Sequence, residues 1–333
     1  MSAVAAAPGR RGPHLSPLAR FILRRIGLLV LALLVSSFVI FISLNLAPGD
    51  PLSALSGGRS LSKATAAALT REYHLDDPVL VRYWDYLKAV VLHFNLGTSI
   101  QFREPVSTLI GQRIGVTAEL VAYSAVLIIV FGVGAGIVAA LRRGAVDGSI
   151  IAVSTVLAAV PSFVAAIVLI AIFAVDLHWL PALGNGSGFA GSIEHLTLPA
   201  IALAASAFAV VTRVTRVTVR AELGLEHVQT AVSRGIPWPL VVRRHVLRNA
   251  SIPITTVVGI TVTSLFALCT VVEQAFNLNG IGAALINAAL EKDFGVVQGI
   301  SLVLVGAFVL ANAIVDLLYA FLDPRVAIGA RAS

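Results

Sequence analysis

Residues 229–250, QTAVSRGIPWPLVVRRHVLRNA, gather Arg234, Arg243, Arg244 and Arg248 with His245 and Asn249 between two long apolar stretches. Guanidinium groups so placed bind phosphate or carboxylate, so lipid headgroups, nucleic acid and an acidic protein surface are all open to them. A second group, Asp176, His178, Glu194 and His195, flanks an earlier loop; these residue types either ligate a divalent metal or simply end solvated helices. Cys269 is the single cysteine and lies in an apolar run, which leaves no intramolecular disulfide or thiolate cluster and makes it a packing residue. Phosphate-binding loops place Gly and Lys before Ser or Thr, but Lys63, Lys88 and Lys292, the only lysines, follow Ser, Leu and Glu. HExxH and GxSxG patterns do not occur either. The chain therefore carries no machinery of its own for ATP hydrolysis.

The elements that must position these groups are membrane helices. Apolar residues make up 58% of the 333 residues and charged ones 12%, with a mean hydropathy of +0.93, far from the balance of soluble domains. A helix needs about 20 apolar residues to cross a hydrocarbon core of about 30 Å. Ile26–Ala47, Leu120–Leu141, Gly148–Val175 and Ile252–Val272 meet that length. Two more are expected: one from near His195 into Arg213, Arg216 and Arg220, whose long side chains snorkel to headgroups, and one over Val296–Leu322. The expected fold is all-α and integral to the membrane, with six transmembrane helices. Only Glu119, just before one run, and Asp316, near the end of another, are candidates for ionisable groups in the membrane. That is few for an ion-gradient-driven secondary transporter or channel, the main alternative, since such proteins line a pathway with buried charges. An intramembrane enzyme, a third class, lacks a catalytic cluster.

Six spans put both termini on one side. That side has 16 basic residues against four acidic, and the other has eight basic against 11 acidic. Lys and Arg near span ends stay cytoplasmic, so both termini are expected inside. Topology accounts for the basic charge without a nucleic-acid partner. Residues 1–16, MSAVAAAPGRRGPHLS, read as a disordered cytoplasmic tail, 17–47 as the first span, retained as an anchor, and 327–333 as a short inner tail.

Two loops exceed what a connector needs. Residues 48–115 open on PGDP, a turn signature, and contain LSKATAAALTREYHL and VLVRYWDYLKAVVLHF, both with helical apolar spacing; they form a folded extracytoplasmic subdomain between the first two spans. The inner loop, 220–250, lies between spans four and five within a five-helix core at 116–326. In it Ala221–Ser233 favours helix, Gly235 stops it, and Pro237 with Pro239 forces a turn before a second short segment, Leu240–Asn249. Such a basic helix-break-helix can anchor to lipid, bind nucleic acid or dock a cytoplasmic protein. Nucleic acid is disfavoured because Trp238 is its only aromatic residue able to stack on bases. The spacing favours docking.

QTAVSRG, followed ten residues after its glycine by HVLRN, resembles the "EAA" loop of bacterial ATP-binding-cassette importer permeases of the dipeptide, oligopeptide and nickel type. RFILRRIGLLVLALLVSSFVIFISLNLAPGDP, YHLDDPVLVRYWDYL, NLGTSIQFREPVSTLIGQRIGVTAEL, NGIG with KDFGVVQG, and VDLLYAFLDPRV resemble the same family in the same order, from Phe21 to Val326. Gln229 and Thr230 stand where the general pattern has Glu and Ala, His227 replaces Tyr, and Asn279 precedes Gly280 where Pro is common. The resemblance implies one permease subunit of a peptide importer in a bacterial cytoplasmic membrane, with nickel or glutathione as alternative cargo. It implies a second homologous permease, two cytoplasmic ATPase subunits or domains that hold ATP and Mg, and an extracytoplasmic substrate-binding protein. It makes the inner loop a coupling helix seated on an ATPase, with Gln229, Thr230, Ala231, Ser233, Arg234, Gly235, His245, Arg248 and Asn249 as its working residues. Ala231 and Ser233 would permit close approach, Gly235 would turn the chain, and His245, Arg248 and Asn249 would cap helix ends or touch the partner. This chain itself is expected to need no cofactor.

Overall fold

The computed structural model describes residues 17–46, 62, 64, 67, 70, 77–99 and 101–322, with side chains not described at 17–22, 45–46 and 316–322. The two tails, the PGDP turn and most of LSKATAAALTREYHL lie outside the described residues, as does the Asp316 side chain. Among the described residues the chain is helical, with one isolated bridge, Thr98–Pro105. The helices are α1 (Pro17–Leu46), α2 (Val79–His93), α3 (Val106–Leu141), α4 (Ala145–Ala159), α5 (Ser162–Asp176), α6 (Gly188–Leu223), α7 (Glu226–Ser233), α8 (Trp238–Ala275), α9 (Ile281–Leu290) and α10 (Phe294–Leu322). Five are long and apolar enough to cross a membrane, or up to six if the bent pair α4–α5 is one span. This is a multi-pass membrane protein.

The structure moves several boundaries expected from hydropathy. Gly148–Val175 is not one straight span: α4 and α5 meet at 103°. Pro161 has no amide hydrogen and disfavours helical backbone at the residue before it, and Val160 is accordingly extended, at φ −90° and ψ 117°. The second span starts at Val106, inside the stretch read as extracytoplasmic subdomain, because VSTLIGQRIG is amphipathic and so scores low on hydropathy. Its apolar face, Val106, Leu109 and Ile110, packs against Ile281, Val296 and Ile300 of α9 and α10. α6 begins at Gly188, ahead of His195. The second inner segment is no separate piece: it is the first turns of the 38-residue α8.

α6 is the central post. Its most apolar 18-residue stretch is 67% buried, against 33% for α3 and α8, because Ala200, Ala202, Ala204, Ala205, Ala207 and Ala209 let neighbouring helices approach closely. α3, α4, α5 and α8 pack around it. The core joins Leu120 and Ile128 of α3 to Leu198, Leu203 and Val211 of α6 and to Leu265 and Val272 of α8. α1 packs on α10, and α2, expected over Val79–Phe94 and observed over Val79–His93, rests on α1. There Tyr83 Oη lies 2.9 Å from Ser37 Oγ, beneath Phe38 and Phe41.

Beyond α2, segments far apart in sequence are tied together. Asp293, in the turn between α9 and α10, accepts from Ser99 Oγ at 2.6 Å and from the Gln101 amide at 3.2 Å. Glu273, near the end of α8 and fully buried, accepts from Thr117 Oγ1 of α3 at 2.6 Å and from the Ala283 amide in the first turn of α9 at 3.0 Å. Thr117 Oγ1 in turn accepts from the Ile281 amide at 3.0 Å. One carboxyl and one hydroxyl thus satisfy amides that the start of α9 cannot pair with itself.

Candidate functional site

α7 is an eight-residue helix hung between α6 and α8. It buries Val228 and Ala231 in a cluster with Val219 of α6 and Val241, Val246 and Ala250 of α8. The opposite face exposes Gln229, Thr230, Ser233 and Arg234. Ala231 therefore packs against this chain's own helices, and its small size lets α7 lie close to α6 and α8, whereas Ser233 is on the exposed face. The hydroxyls of Thr230 and Ser233 donate back to the Glu226 and Gln229 carbonyls at 2.9 and 3.0 Å. Their lone pairs and the Arg234 guanidinium face outward.

The end of α7 is set by Gly235. Its φ is +74°, its amide donates to the Val232 carbonyl at 2.9 Å, and the Ile236 amide donates to Ala231 at 3.2 Å. This pair of bonds is the Schellman arrangement, which needs a left-handed residue at that point. Ile236 then packs against the cluster that holds Ala231. A β-carbon on Gly235 would meet nothing within 4 Å, so the glycine is needed for its backbone angle and not for room. Pro237 and Pro239 do not interrupt a helix. Pro237 precedes the first residue of α8 and Pro239 occupies its first turn, where a missing amide hydrogen costs nothing.

Three helices are knotted beside this turn. Asn249 Nδ2, on α8, lies 3.2 Å from His227 Nε2 on α7 and 3.4 Å from Glu222 Oε2 on α6, so its two hydrogens serve both. In the other His227 tautomer, Nε2 donates to the His245 carbonyl at 3.4 Å. The His227 and His245 rings are 6.5 Å apart between centroids. Asn249 and His245 thus contact residues of this chain's own loop, and Asn249 is exposed along with Arg243, Arg244 and Arg248.

The arginines of α6 do not snorkel. Arg216 donates from Nε and Nη2 to the two Asp147 oxygens, the latter at 2.7 Å, and Arg220 Nη2 donates to Asp147 Oδ2 at 2.8 Å and to the Ala139 carbonyl at 3.1 Å. Arg213 donates to Thr155 Oγ1 at 2.8 Å. They strap α3 and α4 to the end of α6 that leads into α7.

The loop-flanking acids and histidines do not converge. His195 Nδ1 lies 3.1 and 3.2 Å from the Leu183 and Gly184 carbonyls, and His178 Nδ1 lies 3.3 Å from the Asp176 carbonyl, so both rings serve turns. Among the described residues no three His, Cys, Asp or Glu side chains are grouped to hold a metal ion. Sequence reasoning missed Glu222, Asp147 and Glu273. A lone acid in a basic inner loop and a charge at the end of an apolar run were the only signals for the last two.

Residues 132–328 match the family model described as "Binding-protein-dependent transport system inner membrane component", and residues 18–121 match its companion for the N-terminal region. The oligopeptide transport system permease protein OppB of Escherichia coli strain K12 is 33% identical over 309 residues, 92% of this chain and 99% of that protein. A probable peptide ABC transporter permease protein of Sinorhizobium fredii is 33% identical over 310 residues, covering 92% and 98%. A putative peptide permease protein of Brucella suis biovar 1 is 34% identical over 315 residues, with the same coverage.

Proposed function

Because the chain belongs to the family of binding-protein-dependent transport system inner membrane components, we propose that it is one permease subunit of an ATP-driven importer of di- or oligopeptides. A second, homologous permease completes the pathway, cytoplasmic ATPases supply ATP and Mg, and an extracytoplasmic protein delivers cargo. The chain lies in a bacterial cytoplasmic membrane, both termini inside, its six spans counted with α4–α5 as one. The segment between the first two spans, read from the sequence as residues 48–115, is the outer subdomain, with α3 beginning at Val106.

The observation that carries this reading is the construction of α7. Its polar face, Gln229, Thr230, Ser233 and Arg234, is open to a partner, while its apolar face and the Glu222, His227, Asn249 contacts tie it to α6 and α8. A knob of about 12 Å, by the helical rise, fixed at both ends passes on a rigid-body displacement instead of absorbing it.

Gly235 separates docking from lipid anchoring. Gly235→Val, which forces a β-branched residue into a left-handed backbone at about 1–2 kcal/mol, should reduce ATPase copurification and peptide uptake more than tenfold at matched expression. Gly235→Asn, which tolerates that backbone, should stay within about threefold of the unaltered protein, as should Arg243→Gln. Full assembly and uptake in Gly235→Val, with Arg243→Gln lost from the membrane, would mean that the arginines serve lipid.

Orientation has a direct test, because the only cysteine, Cys269, is buried. A membrane-impermeant maleimide should label Ser233→Cys in inverted vesicles alone and Gln101→Cys in right-side-out vesicles alone. The reverse pattern would invert the proposed topology.

A further inference from the structure

Glu119 is the only charged residue of α3 between Arg113 and Arg142. The 22 residues from Leu120 to Leu141 rise about 33 Å, so with Leu141 at the inner surface Glu119 stands at the outer rim of the apolar layer. It opens a stripe of α3 (Glu119, Ala122, Tyr123, Val126) that faces a stripe of α6 (Phe189, Ser192, Ile193, Leu196), each at helical spacing i, i+3, i+4, i+7. Between them is a groove of about 740 Å³, the size of a small-molecule site.

Three features say what fits there. Glu119 is exposed and makes no hydrogen bond or ion pair with another described residue, and no Lys or Arg lines the groove. A carboxylate without a counter-charge at the rim of the apolar layer, beside an apolar groove, marks a pathway or a partner. The Phe189 ring, 85% exposed, offers a face that attracts cations. The Tyr123 hydroxyl lies 3.1 Å from Thr197 Oγ1, which fixes one wall.

We propose that the Glu119 groove is an entry subsite for the protonated amino terminus of a peptide, held by the carboxylate with the first side chain against Phe189 and Val126. The proposal rests on the peptide-importer reading. An α-amino group, with a pKa near 7.7–8.0, is mostly charged at neutral pH, and every unmodified peptide carries one. The subsite therefore grips the one cationic feature common to cargo of any sequence.

The test uses the assembled transporter in proteoliposomes with its binding protein, fed a mixed pool of unmodified tripeptides counted by mass spectrometry. Glu119→Gln should lower uptake at least tenfold, with assembly and basal ATP hydrolysis unchanged, and Glu119→Asp should recover to within about threefold of wild type. Carbodiimide should couple the free amine of the pool to Glu119 in the wild-type protein, and N-acetylated tripeptides should not couple. Wild-type uptake in Glu119→Gln, or no coupling at Glu119, overturns the proposal. Loss of the second permease from Glu119→Gln also overturns it and makes the carboxylate a subunit contact. A wild-type complex that copurifies with no ATPase and moves no peptide overturns the importer reading, and the subsite falls with it.

Discussion

Gly280→Ala is expected to abolish transport and destabilise the purified protein, although alanine is among the mildest replacements for glycine. At φ −96° and ψ 172° Gly280 has a backbone any residue adopts, so conformation is not what the glycine supplies. The added β-carbon would fall on the Glu273 carboxyl, 2.6 Å from Oε1 and nearer still to Oε2. Gly282 is crowded likewise, its β-carbon 2.9 Å from Oε2 and 2.6 Å from Thr270 Cα. The carboxyl cannot retreat without releasing Thr117 and the Ala283 amide. Overpacking of this kind costs about 1–3 kcal/mol, and each buried donor left without its acceptor adds about 1–3 kcal/mol. Glu273→Ala should be damaging by the second route alone, and Glu273→Ala with Gly280→Ala should be less harmful than the two single changes added, because the carboxyl that clashes is gone. Melting temperature in detergent, read beside uptake, checks this. A Gly280→Ala protein with native melting and uptake would show that the α8–α9 junction is not held by this carboxyl.

The second large effect is expected at Asp147. Its side chain is only 14% exposed and pairs with Arg216 and Arg220 together, with Arg142 and Arg143 just before it in sequence. Removing it leaves Arg216 and Arg220 without their shared carboxylate and cuts the strap between α4 and α6. Asp147→Ala should therefore lower both the recovered complex and its uptake, Asp147→Asn nearly as much, and Asp147→Glu least, since it keeps the charge. Arg216→Gln or Arg220→Gln alone should be milder, because each leaves the carboxylate one partner. The yield of assembled complex and its uptake rate decide it; if Asp147→Ala assembles and transports normally while Arg216→Gln does not, Arg216 has a partner other than Asp147.

Gly235 and Gly280 also show how far a sequence can be read. At Gly235 the residue sits at the end of a helical pattern with proline two residues on, a local signal, and the left-handed turn is there. At Gly280 the cause is a carboxyl brought from the preceding helix, and no local pattern announces it. The spans behave in the same way. Val79–His93 and the apolar runs of α1, α8 and α10 were legible because a helix buries or exposes residues with a fixed period. The starts of α3, α6 and α8 were misplaced because their first turns are amphipathic, or carry prolines in a permitted place, and are covered by other helices instead of lipid. Pro161 lies within an unbroken apolar run that gives no sign of a break, and α4 and α5 meet there at 103°.

The sequence by itself determined that this chain lives in a membrane, which of its ends carry the positive charge, where the 220–250 loop turns and which transporter family it resembles. Those follow from composition, charge asymmetry and short-range backbone preference, which are properties of residues near one another in the chain. Tertiary structure alone decided that Ala231 faces inward while Ser233 faces outward, that Arg216 and Arg220 share Asp147 across 69 and 73 residues, and that Thr117 meets Glu273 across 156. A hydrogen bond forms only where two helices happen to bring donor and acceptor within about 3 Å, and that depends on how α6 is packed by all its neighbours at once.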